Sequence, residues 1–541
     1  MTSEPSALAE QVAAWIAGDP DPSTREELSE LTDDELAERF RAPLSFGTAG
    51  LRGEVRAGPN GMNVAVVVRT SAGIGAWLQK KCLGGSTVVV GRDARHGSET
   101  FATAVAETLA AQGFSVVLLP RPLPTPVLAF AVRALGADLG VQITASHNPA
   151  ADNGYKVYLR GGAQLVPPAD KEIEAEIAAV GPAVDVPRTQ VSPGGSDVAA
   201  RYLDTLPALV RSPRRAIRIA LTPLHGVGGE LALTALRGLG FRDIHVVESQ
   251  FAPDPEFPTV AFPNPEESGA ADAVLALAAE VDADLAIALD PDADRCAIGI
   301  PGPTGWRMLT GDETGALLAD HILTTAPPNS LVANTIVSSQ LLAALAPARG
   351  ARYARTLTGF KWLVRAGQGL VYAYEEAIGH CVDPEHVLDK DGISAAVVLA
   401  DLTALGAADG RTLQNMLDDL AVEFGVHAGA QVSKRVTDLD DIASMMKTLR
   451  ATPPTELAGI DVTVTDFLSQ RGPLRTDAVE LAGDGIRVVV RPSGTEPKVK
   501  AYLEAVVPVA DRAGLADARS AAEATLEELR KATASLVRAN V

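Results

Sequence analysis

The chain has 541 residues, of which 47% are hydrophobic and 21% are charged. This balance is typical of globular proteins and excludes a disordered, collagenous or coiled-coil chain. With 47 basic and 68 acidic residues, the formal net charge is −21, so nucleic acid and anionic membrane surfaces are poor candidate partners. At roughly 150 residues per domain, the length predicts three to four domains.

The three cysteines, Cys82, Cys296 and Cys381, lie far apart and form no CxxC pair. Neither a zinc site nor a disulfide framework is expected from them, and a low, odd count suits a reducing compartment. The N-terminal sequence MTSEPSALAE lacks the basic segment and apolar core of a secretory signal, and no run of ~18 apolar residues occurs. We therefore expect a cytoplasmic protein that does not bind a membrane.

The N-terminal residues 1–43 are rich in Ala, Glu and Leu and predict a helical extension, with a helix start at Asp33. From residue 44 onward, apolar runs alternate with helical stretches. STVVVGRDARHG predicts a buried strand and a polar loop, ETFATAVAETLAAQG a helix, and FSVVLLP the next strand. This order is typical of a parallel sheet. It recurs at AIRIALTPLHGVGG and at NSLVANTIVSSQLLAALAP.

Two later features divide the chain further. Residues 180–197 are rich in Pro, Gly and Ser and are the best candidate linker. GIRVVVRPSGTEPKVKAYLEA predicts two strands around a tight loop, followed by a terminal helix rich in Ala and Glu. We predict an α/β fold class, with three similar α/β domains containing mixed sheets and a smaller C-terminal α+β domain. The predicted boundaries are 1–43 for the extension, then 44–205, 206–310, 311–430 and 431–541.

The loop DPDADR, from Asp290 to Arg295, follows the apolar run ADLAIAL, which reads as a buried strand. Ligands of α/β proteins gather at the carboxyl ends of such strands. On a straight strand, Asp290, Asp292 and Asp294 would lie roughly 7 Å apart, too far to share one ion. Pro291 favours a curved loop that could bring them together, and oxygen ligands favour Mg²⁺. Arg295 could balance charge or hold a phosphate; a turn of solvated acids is the alternative.

The segment TASHNPAADNGYK places Ser146 and His147 in a tight loop after the strand GVQI, because Asn-Pro and Asn-Gly are turn dipeptides. Serine is a weak nucleophile unless a base or a charge activates it. No second histidine lies nearby in the sequence, and no GxSxG elbow is present. A phosphate carrier is therefore a better role for Ser146 than acyl transfer. An ordinary Ser–His turn is the alternative.

Two more loops could contact an anion. In RPSGTEPK, the backbone N–H groups of Ser493, Gly494 and Thr495, together with Arg491, would form an anion-binding concavity. A plain hairpin turn is the alternative. In FGTAGLRG, the small residues let a ligand approach the backbone and Arg52 supplies positive charge, although a flexible loop is as good an interpretation.

Taken together, TASHNP, DPDADR and RPSGTEP resemble the α-D-phosphohexomutase superfamily, which holds phosphoglucomutases and phosphomannomutases. FGTAGLRG, GRDARHGS, TPLHGVG, FPNPEE, TLTGFKW, EEAIGH and KDGISA follow in the order of that family, so the resemblance covers about residues 44–505. The wording of TAGLR, TGFKW and EEAIG is similar to the subgroup of phosphoglucomutase-2 and phosphopentomutase, and to bacterial enzymes called phosphomannomutases.

The resemblance implies a four-domain, heart-shaped molecule with a central active site. It implies a phosphoserine at Ser146 and one Mg²⁺ per active site. The residues implied in catalysis are Ser146, His147, Lys156, Arg52 and Arg295. Those implied in metal binding are Ser146, Asp290, Asp292 and Asp294. Those implied in substrate binding are Thr358, Gly359, Glu376, Arg491, Ser493, Gly494, Thr495 and Lys498. Either Lys156 or His147 could transfer the proton, the lysine if desolvation and cationic neighbours lower its pKa.

The implied activity is a phosphohexomutase that interconverts hexose 1-phosphate and hexose 6-phosphate, of mannose, glucose or both. It would proceed through the phosphoserine and a sugar 1,6-bisphosphate, which is also the expected activator. Where the family usually reads GEMSG, this chain reads Glu375–Gly379, so Ile378 replaces a hydroxyl. We expect an apolar surface there that loosens hexose recognition and leaves room for a pentose phosphate.

Other activities compete with this one. Within the family they are phosphopentomutase and glucose 1,6-bisphosphate synthase. Outside it, a haloacid-dehalogenase-type phosphatase also uses Asp near Mg²⁺, but the close acid triplet, the serine loop and the distal phosphate loop count against it. A P-loop kinase would need GxxxxGK[ST], which is missing from the sequence. A non-enzymatic sugar-phosphate-binding protein would be expected to lose Ser146 or one acid of DPDADR, and both remain.

Overall fold

The computed structural model describes residues 7–47, 50–303, 305–436, 439–493 and 498–538. The chain forms two compact units, of which the first comprises Met1–Leu309 with Gly379–Leu405 and the second comprises Thr310–Ile378 with Gly406–Val541.

The first unit opens with three short helices, which confirm the predicted helical character of the N-terminal segment. They are α1 (Ala7–Gly18), α2 (Pro22–Glu30) and α3 (Asp33–Arg39). Local capping fixes where two of them begin. The Asp21 side chain accepts a hydrogen bond from the backbone N–H of Ser23, and Thr32 and Glu35 form a reciprocal capping box at the start of α3.

A mixed sheet follows. Its strands are β1 (Leu51–Glu54), β2 (Thr87–Arg92), β3 (Ser115–Leu118), β4 (Leu139–Ile143), β5 (Asp152–Leu159) and β6 (Ala163–Gln164). Its helices are α4 (Val64–Lys80), α5 (Ser98–Ala111), α6 (Thr125–Ala134) and α7 (Ala169–Ala179). The strand order is β1-β5-β4-β2-β3, with β6 on β5. β2 runs parallel to β3 and β4, whereas β5 runs antiparallel to β1 and β4. The predicted β–loop–α–β unit is confirmed.

The predicted linker, residues 180–197, contacts this α/β segment through an ion pair and backbone hydrogen bonds. The Arg188 guanidinium lies 2.7 Å from the Glu107 carboxylate. The backbone N–H of Thr189 donates to the carbonyl of Glu107, and that of Gly194 donates to the carbonyl of Leu118. A composition rich in Pro and Gly therefore marks the absence of regular secondary structure here, not the absence of contacts.

A second mixed sheet lies in the same unit. Its strands are β7 (Arg218–Thr222), β8 (Asp243–Val246), β9 (Leu285–Leu289), β10 (Cys296–Gly302) and β11 (Gly305–Met308). The helices are α8 (Val198–Leu203), α9 (Gly229–Gly238), α10 (Glu248–Phe251) and α11 (Asp272–Glu280). The strand order is β11-β10-β9-β7-β8. Every residue of β9 is buried. Because β9 and β10 are antiparallel and Leu289 pairs with Cys296, the DPDADR segment between them is the predicted tight loop.

The second unit begins with another α/β segment. It contains α12 (Gly311–Leu323), β12 (Leu331–Thr335), α13 (Leu341–Ala348), β13 (Arg352–Thr356), α14 (Phe360–Leu363) and β14 (Leu370–Glu375). β12 lies between β13 and β14 and runs parallel to both. The chain then returns to the first unit through β15 (Gly379–Cys381) and most of α15 (Gly392–Ala408).

The C-terminal part is built on an antiparallel sheet. Its elements are α16 (Leu413–Phe424), β16 (Val426–Arg435), α17 (Leu439–Ala451), β17 (Glu456–Leu457), β18 (Ile460–Asp466), β19 (Val479–Gly483), β20 (Ile486–Pro492), β21 (Lys498–Val507) and α18 (Leu515–Arg538). The order is β16-β21-β20-β19-β18-β17. The predicted strand pair around RPSGTEPK is the β20–β21 hairpin. β16 pairs with β21 along its whole length, so this strand spans the predicted boundary at 430/431.

The fold class is therefore confirmed: three α/β segments precede a smaller antiparallel α+β segment. Within the described residues, no single helix is long and apolar enough to cross a membrane; only α15 and α16, taken together across the break between them, reach that length and composition.

Candidate active site

Ser146 lies in the loop between the antiparallel strands β4 and β5, and its backbone is in the left-handed region, with φ of 54°. A non-glycine residue adopts this conformation only where its surroundings hold it there. Its backbone N–H donates to the hydroxyl of Thr144 at 2.9 Å. Its own hydroxyl donates to Asp290 Oδ2 at 2.8 Å and lies 3.3 Å from His147 Nδ1. Ser146 is only 2% exposed, so the loop presents this hydroxyl to the buried acids.

Arg95 holds the shape of that loop. Its guanidinium donates to four backbone carbonyls, those of Ser146 at 2.7 Å, Asn148 at 2.6 Å, Pro149 at 2.7 Å and Asp152 at 3.0 Å. The arginine is itself buried. Loop carbonyls that lie away from water need such donors, and one planar guanidinium provides several at fixed angles.

The three acids of DPDADR converge, which confirms the predicted curved loop. Asp290, Asp292 and Asp294 are 0% exposed, and each offers a carboxylate oxygen within 4.8 Å of the other two. Ala293, inside the turn, has φ of 53°. One oxygen each of Asp292 and Asp294 is buried without a hydrogen-bond partner among the described residues. Buried carboxylate oxygens that accept no hydrogen bond, in an oxygen-only cluster, fit a hard divalent cation.

Two lysines contribute positive charge to this cluster. Lys156 Nζ lies 2.6 Å from Asp292 Oδ2 and 2.8 Å from Asp294 Oδ2, and Lys390 Nζ lies 3.2 Å from the same Asp294 oxygen. The hydroxyl of Thr125 donates to Asp292 Oδ2 at 2.5 Å. All five side chains are buried. The ammonium groups of Lys156 and Lys390 therefore reduce the electrostatic repulsion between the carboxylates.

The pKa shifts follow from burial and from these pairings. Burial raises the pKa of Asp290 well above its ordinary value, and the charges of Asp292 and Asp294 raise it further. Burial would lower the pKa of Lys156, but the two carboxylates that it contacts outweigh burial and raise the pKa instead. This differs from the expectation that desolvation and cationic neighbours lower the pKa of Lys156. The physical reason is that two acids lie within 3 Å of its Nζ.

The remaining predicted catalytic side chains surround Ser146. Arg52, on β1, donates to Asn148 Oδ1 at 3.4 Å. The backbone N–H of Arg295 donates to Asp290 Oδ1 at 3.0 Å. Burial lowers the pKa of His147 well below its ordinary value, and the charges of Arg295 and Arg52 lower it further, so the imidazole is neutral at pH 7. The first unit thus brings together every residue that the resemblance implied in catalysis and metal binding.

The predicted sugar-binding residues lie in the second unit. Glu376 follows β14, and its Oε2 accepts hydrogen bonds from the hydroxyls of Thr335 at 3.0 Å and Ser338 at 2.9 Å. Thr358 and Gly359 immediately precede α14, and Gly359 is its N-cap.

Ile378, beside the predicted sugar-binding residues, is only 1% exposed. Its side chain therefore packs inside the protein, which corrects the expectation that it offers an apolar surface to the sugar.

The predicted phosphate loop is only partly described. Arg491 lies near the end of β20, Ser493 directly follows that strand, and Lys498 begins β21. The backbone N–H of Ser493 donates to the carbonyl of Lys498 at 2.8 Å. That N–H closes the hairpin and is not free for an anion, contrary to the expectation for this residue. Gly494 and Thr495 lie outside the described residues.

Sequence reasoning missed three residues around Ser146 and the acids: Arg95, Thr125 and Lys390. Signals for two of them were present, because Arg95 lies in GRDARHGS and Lys390 in KDGISA, two segments that matched the family order. Thr125 lies in the segment PLPTPVL, which carries no such signal. Its contact with Asp292 depends on the packing of the two sheets of the first unit.

Phosphoryl-transfer chemistry is the class of reaction that this arrangement serves: a buried serine, a carboxylate cluster that fits a divalent cation, and fixed cations nearby. Four family models match successive parts of the chain, those of phosphoglucomutase/phosphomannomutase alpha/beta/alpha domains I (43–183), II (200–302) and III (310–424), and the C-terminal domain (435–522). The chain belongs to the phosphoglucomutase/phosphomannomutase family. It is an enzyme, an isomerase that transfers a phosphoryl group within its substrate.

Similar proteins carry several names within this family. A Haemophilus influenzae protein named probable phosphomannomutase is 42% identical over 458 residues, covering 82% of this chain and 93% of the relative. The phosphopentomutase of Pongo abelii is 33% identical, covering 93% of this chain and 92% of the relative. The crystal structure of a Thermus thermophilus protein described as a phosphomannomutase superposes with a TM-score of 0.71 at 26% identity, covering 91% of this chain and 99% of that one.

Proposed function

We propose that this enzyme interconverts hexose 1-phosphate and hexose 6-phosphate, of mannose, glucose or both, through a phosphoserine at Ser146 and a 1,6-bisphosphate intermediate. The observation that carries the proposal is the position of the Ser146 hydroxyl, 2.8 Å from Asp290 within the buried acid cluster and 3.3 Å from a neutral His147. A phosphoryl group on this oxygen would lie beside the groups that can neutralise it.

The chemistry proposed for these residues is a phosphoryl exchange. A substrate hydroxyl oxygen attacks the phosphorus, the bond between phosphorus and Ser146 Oγ breaks, and the hydroxyl proton is gained overall by Oγ. His147, with a lowered pKa and its Nδ1 close to Oγ, is suited to hold that proton in transit. Lys156 is the other candidate, although in this arrangement it is an ammonium ion paired with two carboxylates. The bisphosphate then returns its other phosphoryl group to Ser146.

Charge neutralisation completes the proposed mechanism. Asp290, Asp292 and Asp294, with the seryl phosphate, would hold Mg²⁺, which when bound neutralises charge on the transferring group. The two buried carboxylate oxygens that accept no hydrogen bond from the described residues, Asp292 Oδ1 and Asp294 Oδ1, support this assignment. Arg52 and Arg295 supply fixed positive charge near Ser146, so little reorganisation is needed during transfer.

For the sugar and its second phosphate we propose Thr358, Gly359, Glu376, Arg491 and Lys498. Glu376 uses Oε2 to bind Thr335 and Ser338, which leaves Oε1 able to accept from a sugar hydroxyl.

The identity of the sugar is the finer part of the proposal. The 42% identity to a protein named for mannose supports a hexose. A pentose phosphate is the second candidate, because the Pongo abelii phosphopentomutase matches 93% of this chain, more than the 82% matched by the Haemophilus influenzae protein. The burial of Ile378 removes the sequence-based reason to favour a pentose, since its side chain offers no surface to a ligand.

The test is a comparison of kcat/KM for glucose 1-phosphate, mannose 1-phosphate and ribose 1-phosphate under one set of conditions, with Mg²⁺ and the matching bisphosphate. We expect the larger hexose value to exceed the ribose value. A ribose value more than about tenfold above both hexoses, a difference of roughly 1.4 kcal/mol in transition-state binding, would replace the hexose assignment with phosphopentomutase.

A further inference from the structure

The first unit contains a cavity of about 390 Å³ that involves none of the residues of the candidate active site. This volume falls within the usual range of small-molecule sites. Its walls are mostly apolar, and the principal apolar residues are Ala14, Trp15, Phe40, Pro59, Ala65 and Pro182. The rings of Trp15 and Phe40 meet edge to face, with centroids 6.2 Å apart.

Arg69, on α4, is the one charged side chain among the residues that line this cavity. Its guanidinium lies over the Trp15 ring, 5.9 Å from the centroid, and donates to the carbonyl of Val180 at 3.2 Å. Its Nε is buried without a hydrogen-bond partner, as is the indole Nε1 of Trp15. No carboxylate pairs with Arg69 anywhere in the described part of the chain.

An arginine without an acidic partner is unexpected in a chain with 68 acidic and 47 basic residues. Burial lowers the pKa of Arg69, with no opposing carboxylate to raise it again. A guanidinium nevertheless keeps its proton at any physiological pH. What this environment lacks is therefore an anion, and the field of a chain with net charge −21 disfavours small hydrated anions. An anion that also carried an apolar body would gain contact with the walls.

We propose that this cavity binds a small organic anion whose apolar body contacts Trp15 and Phe40 and whose anionic group pairs with Arg69. The site is independent of the proposed mutase activity. Trp15 lies on α1 and Phe40 directly follows α3. Both residues precede the part of the chain that the domain I model matches. Binding would therefore join the N-terminal helices to the first α/β segment and raise its thermal stability.

The experiment uses two fluorescent probes, 8-anilinonaphthalene-1-sulfonate and N-phenyl-1-naphthylamine, which has the same rings without the sulfonate. Both are titrated into the full-length enzyme and into its Arg69→Gln, Arg69→Lys and Arg133→Gln variants. Arg133 is an exposed arginine on α6, so its substitution is a matched control for loss of one positive charge.

We expect the parent to bind the sulfonate more tightly than the uncharged probe. Arg69→Gln should weaken sulfonate binding by roughly tenfold or more, as for loss of a hydrogen bond to a charged group, and leave the uncharged probe nearly unaffected. Arg69→Lys should retain most of the sulfonate affinity, and Arg133→Gln should match the parent. Equal affinities of the parent for the two probes would overturn the proposal without any variant. So would unchanged sulfonate binding in a folded Arg69→Gln variant, or equal losses in Arg133→Gln.

Discussion

Arg95 shows how a single side chain can shape the surroundings of Ser146. Four loop carbonyls, including that of Ser146, accept hydrogen bonds from its guanidinium. Its Cζ also lies 4.9 Å from the centroid of the Phe257 ring, so an aromatic face fixes the plane of the guanidinium. The left-handed backbone of Ser146 is therefore held from the carbonyl side by one rigid group.

Replacing Arg95 with lysine should lower kcat much more than it changes KM. An ammonium group has a single donor atom and cannot reach four carbonyls at once, so Ser146 would lose its fixed position. A small misplacement of a reacting group costs about 10²-fold, and we expect a loss of that order in kcat. Steady-state kinetics of Arg95→Lys, with Arg133→Lys as the exposed control, measure it. A folded Arg95→Lys enzyme with the parental kcat would show that this residue does not position Ser146.

The acid cluster makes a second prediction at this scale. Asp292→Asn removes a charge from the proposed cation site while keeping an oxygen that Thr125 and Lys156 can contact. We expect weaker Mg²⁺ binding and a loss of turnover of at least about 10²-fold, because charge on the transferring group is then poorly neutralised. Activity is measured against Mg²⁺ concentration after treatment with EDTA. Full activity of the EDTA-treated parent without added divalent ion would disprove the metal assignment.

How far the sequence predicts these residues depends on the range of the contacts involved. The convergence of Asp290, Asp292 and Asp294 was predictable, because it depends on one short loop after one apolar strand. The raised pKa of Lys156 was not, because it depends on carboxylates that lie 136 and 138 positions away in the sequence. The contacts of Arg95 lie more than 50 residues away from it for the same reason.

Among the secondary-structure elements, β5 does most to position the site. Lys156 on β5 pairs with Gln142 of β4, and Gly154 pairs with Arg52 of β1. The register of these three strands therefore sets where Arg52, Ser146 and Lys156 lie. A Cβ on Gly154 would come within 2.6 Å of the Thr144 carbonyl and 2.8 Å of the Leu51 carbonyl, so only glycine fits between the neighbouring strands.

Gly154→Ala should push these strands apart. We expect a loss of about 1–3 kcal/mol in unfolding free energy and a fall in kcat, since the overlap is with backbone on both sides. Thermal unfolding and kinetics measure the two effects. Gly238→Ala, on α9, is the control, because nothing lies within 4 Å of its added Cβ. If both variants kept the parental stability and activity, the strand register would not be as constrained as the structure indicates.

In the second unit, an acid on α12 holds the turn after β12. Asp312 accepts hydrogen bonds from the backbone N–H of Ser339 at 2.7 Å and from the Tyr374 hydroxyl at 2.9 Å. Burial, with the charges of Glu376 and Glu504, raises the pKa of Asp312 from 3.8 to about 7. The folded state thus favours the protonated acid. Its contribution to stability is complete below the ordinary pKa and is lost as the pH rises through the folded-state value.

Asp312→Asn should remove this dependence, because the amide keeps an acceptor oxygen and carries no charge. The advantage of the variant over the parent in unfolding free energy should grow between about pH 4 and about pH 7, by up to roughly 1.4 kcal/mol for each pH unit, and stay level above that range. Thermal unfolding of both proteins across this range gives the difference. A difference that stays constant with pH would show that Asp312 does not titrate in this window.

At the scale of elements, alternating apolar runs predicted the strands and helices well, as β2, α5 and β3 illustrate. The predicted boundary at 430/431 divides the strand β16, because its partner β21 lies more than 60 residues later in the sequence and partly buried positions alternate with exposed ones along it. The packing of the linker against Glu107 was also beyond the sequence, since composition carries no information on what a segment contacts.

For the molecule as a whole, the main features are its negative net charge and the different proposed roles of its two units. A chain of net charge −21 is expected to repel sugar phosphates, so positive charge must be concentrated locally. The first unit does so around Ser146 with five cations, Arg52, Arg95, Lys156, Arg295 and Lys390. The second unit carries the proposed sugar and phosphate contacts. The sequence resemblance implied this distribution of roles among segments, but the charge pairing was not predictable, because the paired residues lie far apart in the sequence.

Transfer through Ser146 is the central claim, and direct measurement of its phosphorylation tests it. The enzyme is incubated with glucose 1,6-bisphosphate and analysed by peptide mass spectrometry, then chased with excess sugar monophosphate. We predict one phosphoryl group on Ser146 that discharges to the sugar at least as fast as turnover, and a Ser146→Ala variant that folds, gains no phosphoryl group and turns over at least about 10³-fold more slowly. Near-parental turnover by Ser146→Ala, or turnover by the parent without phosphoserine, would contradict the mechanism.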